Sequence, residues 1–339
     1  MPLPIPAPRE SGYTTTTLVP LYWAAYGPAG APRLLVLHGG PGASHDYLLP
    51  QMLELAERHD VLFYDQRGGG RSRSDDRAPV TWRTHVEDMA TVVRELALGA
   101  APLRVVGYSW GAMLALLYAI EASAARGERV EGTEPAPGSL LPDPASRDVA
   151  LGSRQQAAEE PHLHPPLATL LLISPAPLTR AWRLEFEAAF AARAAGARVR
   201  QLREELAAGG LRERDPDAYR QRTFELSVAG YFADPDQARD LTPFRVVGRI
   251  QEQVWASLGD FDLVRDLGRV RVPHALVVHG RQDPIPLASS EAAARALGAG
   301  LVVLDGCGHV PYVEQPSALF AAAGEFLATT APSPSSNVP

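Results

Sequence analysis

The chain has 339 residues, 46% of them hydrophobic and 21% charged, which allows a substantial core and excludes global disorder. Its net charge of −7 argues against nucleic acid as the main partner, because phosphate binding needs clustered positive charge. All 32 basic residues are arginines, which rules out a lysine Schiff base, and the single cysteine, Cys307, rules out an intramolecular disulfide.

The opening MPLPIPAPRESG lacks a basic start followed by an apolar stretch, and no long uncharged apolar run follows. A cytoplasmic protein with no membrane span is the expectation. Residues 14–26 can supply one or two leading antiparallel strands. Short apolar runs then recur, each closed by a turn. Residues 34–37 precede HGGPG, 61–64 precede DQRGGG, and 103–106 precede GYSWG; later runs lie at 169–173, 275–278 and 301–304. Such runs suit strands buried on both faces. Helices are expected at 82–98, 112–125 and 317–328. The alternation predicts an α/β fold with a mostly parallel, doubly wound sheet.

Two segments break this rhythm. Residues 126–166 are rich in Pro, Gly, Ser, Ala and Glu without apolar periodicity, and read as a flexible insertion. His162 and His164 fall there without further ligands, so no metal site is expected. Residues 177–267 read as helical. Trp182, Phe186 and Phe190 recur at helical spacing, and Val199, Leu202 and Leu206 continue the stripe to Gly209-Gly210. The segment suits a cap over a site built on a core of 1–176 and 268–339.

The chemistry concentrates in the turns. In Gly107-Tyr108-Ser109-Trp110-Gly111 a serine sits between a strand and a helix, with glycines that let the backbone take a strained turn. A serine hydroxyl needs a base to become a nucleophile. In the chain order Ser, acid, His, the acid is Asp283 after the 275–278 run and the base is His309 after the next. Asp305 and Glu314 are rival acids. An oxyanion hole needs two backbone N–H groups, assigned to Trp110 and to Gly40 in the HGGPG turn. Cys307 reads as a small residue packed in a turn.

Together HGGPG (38–42), DQRGGGRS (65–72), GYSWG (107–111), HGRQD (279–283) and GCGHVPYVEQP (306–316) resemble the proline iminopeptidases and their close α/β-hydrolase relatives. The resemblance covers the core at both ends of the chain, is weak in 177–267 and is absent in 126–166. It implies an α/β-hydrolase fold, release of an N-terminal residue such as proline through an acyl-enzyme, and roles for Ser109, Asp283, His309, Gly40 and Trp110. Two departures stand out: Tyr108 replaces a glycine of the family's GGSWG, and Gly69 stands where a cysteine is common.

The family binds the substrate's free amine with cap glutamates. Glu225 and Glu252, in the apolar surroundings of FELSVAGYF and RIQEQVW, are the candidates, with an ordinary solvated or capping role as the alternative. The expected substrate is a small peptide, amide or ester, and no cofactor is implied. A carboxylesterase or lactonase with the same three residues is the competing activity, and a non-catalytic ligand-binding protein the competing class. Oligomeric state is not legible.

Overall fold

The apolar runs lie side by side in one eight-stranded sheet of a computed structural model, which describes residues 4–74, 78–98, 102–126 and 164–330. The strands are β1 Glu10–Tyr13, β2 Tyr22–Tyr26, β3 Arg33–Leu37, β4 Asp60–Tyr64, β5 Leu103–Tyr108, β6 Leu167–Ile173, β7 His274–Gly280 and β8 Gly300–Leu304. Their order is β1-β2-β4-β3-β5-β6-β7-β8. The pairs β1–β2 and β2–β4 are antiparallel and all others parallel. Two leading antiparallel strands are therefore present, β2 inside the expected 14–26 and β1 just before it.

Alternation along the strands explains why the runs are continuously apolar. Leu35 and Leu37 of β3 and Val105 of β5 face a layer containing Val86, Met89, Met113 and Leu117. Leu34, Val36 and Val106 face the opposite layer, with Met52, Leu319 and Leu327. Each central strand thus has two buried faces, as a parallel sheet between helices requires. The helix Trp82–Glu95 is opened by a reciprocal Thr81–Thr84 capping box, and Trp110–Ala125 is almost wholly buried.

Between β6 and β7 the chain forms the helices Arg180–Ala194, Ala197–Ala208, Leu211–Arg214, Pro216–Val228, Gly248–Ser257 and Leu263–Leu267. The aromatic stripe read as continuous from Trp182 to Leu206 is split at Ala195 and Gly196, where Gly196 takes an extended N-cap conformation for the next helix. Val199 and Leu202 are core residues of the second helix, whereas no residue of Arg180–Ala194 is fully buried. A helix not read from the sequence, Leu287–Leu297, connects β7 to β8.

Most of the expected insertion, residues 127–163 with His162, lies outside the described residues. Its leading edge, Arg126, caps the far end of the 16-residue helix that starts at Trp110. At 1.5 Å per residue that is about 24 Å along the axis from Ser109. Among the described residues no helix is long and apolar enough to cross a membrane.

Candidate active site

Ser109 is the single residue between the end of β5 and the helix Trp110–Ala125. Its φ of 53° and ψ of −117° are rare for a side chain with a Cβ, and the surroundings hold it there. Its N–H donates to the Ile173 carbonyl at 3.0 Å, and its carbonyl accepts from Ala112 and Ala176, both at 3.0 Å. The flanking glycines are required by close approach. A Cβ on Gly107 would lie 2.5 Å from Cα of Ala112, and one on Gly111 would lie 2.2 Å from the Leu37 carbonyl oxygen.

The loops after β7 and β8 reach the same edge. Oγ of Ser109 lies 3.0 Å from Nε2 of His309, and Nδ1 of His309 lies 2.8 Å from Oδ2 of Asp283. With Nδ1–H donating to the carboxylate, Nε2 is free to accept the serine proton. The other carboxylate oxygen of Asp283 accepts the Ile285 N–H at 2.8 Å. Burial alone would raise the Asp283 carboxyl, but the His309 and His279 rings and these hydrogen bonds outweigh it and hold the group below its ordinary value.

The rival acids stand elsewhere. Asp305 is exposed and pairs with Arg281. Glu314 is buried and accepts backbone N–H groups of Gly308, Val310 and Ala233. Cys307 is buried, and burial pushes its thiol well up, away from the reactive thiolate.

Gly40 and Trp110 line the same cavity as Ser109. Gly40 has a φ of +61°, a conformation a glycine takes without strain. The Trp110 N–H opens its helix and so has no acceptor within it. Neighbouring Gly39 is packed so that a Cβ would lie 2.8 Å from Cβ of Ser109. A buried glutamine ties these turns together. Gln66 Nε2 donates to the His38 carbonyl at 2.7 Å, its backbone N–H donates to Nε2 of His38 at 3.1 Å, and its Oε1 accepts the Trp110 indole N–H at 2.9 Å. No sequence signal marked Gln66 beyond its place in DQRGGG.

The cavity in front of Ser109 has a volume of about 370 Å³. Phe186, Phe190, Phe224, Tyr231, Phe244 and Trp255 supply much of its wall, and Ser227 and Gln251 are polar members. The lining, among the described residues, contains no carboxylate and no arginine. Neither glutamate expected to read an amine lines it. Glu225 is buried outside the cavity, where it accepts from Arg222 Nη1 at 2.6 Å and Gln221 Nε2 at 3.1 Å. Glu252 is exposed on the helix Gly248–Ser257, whose residues Gln251 and Trp255 face the cavity instead. Among the described residues no cluster of three or more His, Cys, Asp or Glu is placed to hold a metal ion.

Comparison with known proteins agrees with this architecture. A stretch of 90 residues is 44% identical to the proline iminopeptidase of Thermoplasma volcanium, covering 26% of this chain and 30% of that protein. Another, of 115 residues, is 38% identical to the proline iminopeptidase of Saccharolobus solfataricus, covering 33% of this chain and 36% of the relative. The chain thus matches about a third of the length of these curated relatives. The crystal structure of proline iminopeptidase from Mycobacterium smegmatis superposes with a TM-score of 0.59 at 22% identity, over 95% of this chain and 98% of that one. Residues 32–316 match the family model described as alpha/beta hydrolase fold, and this span runs from the strand before HGGPG to the helix after His309. The chain belongs to the α/β-hydrolase fold family and is proline iminopeptidase-like within it.

Proposed function

We propose that the protein is a serine hydrolase that forms an acyl-enzyme on Ser109 and prefers a small ester or amide with an apolar acyl group. The observation that carries this reading is the hydrogen-bonded chain Ser109–His309–Asp283, at 3.0 and 2.8 Å. His309 Nε2 takes the hydroxyl proton as Oγ attacks the substrate carbonyl, and the negative oxygen is met by the N–H groups of Gly40 and Trp110. The imidazolium, held by ionised Asp283, passes that proton to the departing alcohol or amine. Water then repeats the sequence and releases the acid. These steps use no metal or organic cofactor. In this reading residues 1–176 and 268–339 form the hydrolase core and 177–267 a helical cap.

The preference for an apolar group rests on the aromatic wall. A buried ammonium without a carboxylate partner is costly, and among the described residues none lines this cavity. Release of an N-terminal residue such as proline is the second reading. It is favoured by the 38% and 44% identity to proline iminopeptidases, and aromatic faces such as those of Phe190 and Tyr231 offer a cation some compensation.

Hydrolysis of p-nitrophenyl butyrate beside proline p-nitroanilide, with Ser109→Ala as the blank for both, separates the two. Ester cleavage that dominates and is lost in the blank supports the first reading. Efficient anilide cleavage, abolished when the proline amine is acylated, moves the assignment to the aminopeptidase. Activity undiminished in the blank rejects both.

A further inference from the structure

We propose that Glu314 is a positioning residue that locks the His309 loop to the segment carrying Tyr231 and so keeps the imidazole aimed at Ser109. The proposal rests on the serine-hydrolase reading above.

Glu314 ends the short helix Pro311–Glu314 and is 5% exposed. Its Oε2 accepts the Gly308 N–H at 2.8 Å and its Oε1 accepts the Val310 N–H at 3.0 Å. The amides on both sides of His309 therefore end on one carboxylate. The amide between them, that of His309 itself, donates to the Tyr231 carbonyl at 2.7 Å. Oε2 also accepts the Ala233 N–H at 2.7 Å, so the same carboxylate holds the chain two residues beyond Tyr231. The contact is close enough to exclude any side chain at Gly308, where a Cβ would lie 2.3 Å from the Tyr231 carbonyl oxygen and 2.7 Å from the Ala233 nitrogen.

Tyr231 couples this clamp to substrate. Its ring lies at 30° to the imidazole of His309 with centroids 5.2 Å apart, and the same residue lines the cavity. A molecule in the cavity thus rests against the segment that fixes the base.

The clamp needs an acceptor-only group. A carboxylate offers lone pairs on both oxygens, whereas a glutamine would turn an NH2 group toward one of the three N–H donors. Hydrogen bonds to a charged acceptor are also the stronger kind. Burial pushes the Glu314 carboxyl up, and the three backbone N–H groups work against that shift.

The test compares Glu314→Gln and Glu314→Asp with the wild type. Titration by a fluorophosphonate counts competent active sites, so kcat can be expressed per labelled site and separated from loss of folded protein. For Glu314→Gln the expected result is a fall of about tenfold or more in kcat per site, with KM for p-nitrophenyl butyrate within about twofold. Glu314→Asp, which keeps an acceptor-only group set back by one methylene, is expected between the two, and it carries the test if the glutamine variant does not fold. A kcat per site within about twofold of wild type, with only the number of labelled sites reduced, would make Glu314 merely structural and overturn the proposal. Wild-type protein that takes no label would instead remove the serine-hydrolase reading, and the proposal with it.

Discussion

The indole N–H of Trp110 donates to Oε1 of Gln66 at 2.9 Å, tying the residue after Ser109 to the turn after β4. The Gln66 side chain also donates to the His38 carbonyl, while the Gln66 backbone N–H donates to the His38 ring, so one side chain joins the turns proposed to supply both oxyanion donors. Replacement by alanine leaves buried polar groups unmade, with an expected stability loss of about 1–3 kcal/mol. The catalytic effect is expected to exceed that of misfolding alone: kcat falls by about tenfold or more while KM changes little. Steady-state kinetics on p-nitrophenyl butyrate, paired with urea unfolding, checks this. An unaltered kcat would mean that the two turns hold their spacing without Gln66.

The aromatic wall and the two glutamates make opposite expectations. Phe190 lines the cavity and packs on Tyr231 with ring centroids 4.5 Å apart. Phe190→Ala is expected to raise KM for an aryl or alkyl ester by about fivefold or more, since uniform binding is lost while the reacting groups are untouched. Glu225→Gln and Glu252→Gln, which alter side chains outside the cavity, are expected to leave kcat/KM within about twofold. A large loss with either glutamate variant on proline p-nitroanilide, and none on the ester, would restore the amine-binding role considered from the sequence.

Much of this was legible in the residues, for physical reasons. Strands such as β3 and β5 are buried on both faces, so they appear as unbroken apolar runs, and the serine turn carries its own glycine signature. Chain order leads from the serine to an acid and then to His309, but it leaves Asp305 beside Asp283, and only the contacts in space separate the two. The helix Leu287–Leu297 was not legible because LASSEAAARAL is rich in alanine and serine and gives little apolar contrast. The break at Gly196 does show in the spacing: nine residues from Phe190 to Val199, at about 100° each, put Val199 on the opposite side of a continuous helix, so one unbroken stripe cannot span both. Periodicity also marks which residues share a face without saying what that face meets. Phe186 and Phe190 were therefore visible as a stripe, but the turning of Glu225 and Glu252 away from the cavity was not. Gln66 meets His38 and Trp110 of distant turns, and Glu314 meets Ala233 as well as two amides of its own loop, relationships that apolar periodicity does not record.

Gly69 was noted as a departure from the family, where cysteine is common, and its packing accounts for the glycine. A Cβ there would lie 2.0 Å from the Ala43 carbonyl oxygen. Gly69→Ala or Gly69→Cys must push the DQRGGG turn off the HGGPG turn. The expected loss is about 1–3 kcal/mol in urea unfolding, with reduced activity because the displaced segment leads back to Gly40. Full stability in either variant would show that this turn can yield without harm.

Asp65, in the same motif, is expected to contribute to acid stability. Its Oδ1 accepts the backbone N–H of His45 at 2.9 Å and lies 2.7 Å from the ring Nδ1, and its Oδ2 accepts the Arg71 N–H at 2.9 Å. Burial alone would raise the carboxyl, but His45, His38 and the Arg71 amide lower it from 3.8 to about 2. A depressed carboxylate stabilises the fold above its unfolded value near pH 4 and loses that contribution as pH falls toward 2, worth about 2 kcal/mol here. Asp65→Asn is expected to be less stable at neutral pH and to lose less further stability below about pH 4 than the wild type. Urea midpoints measured across that window check it, and parallel pH curves would contradict it.

The central claim is that Ser109 is a nucleophile activated by His309. Its most direct test is intact mass after exposure to a fluorophosphonate, followed by peptide mapping. The expected result is a single adduct on the peptide containing Ser109, absent in Ser109→Ala and formed far more slowly in His309→Ala. No adduct on the folded wild type, or an equal adduct on Ser109→Ala, would contradict the account.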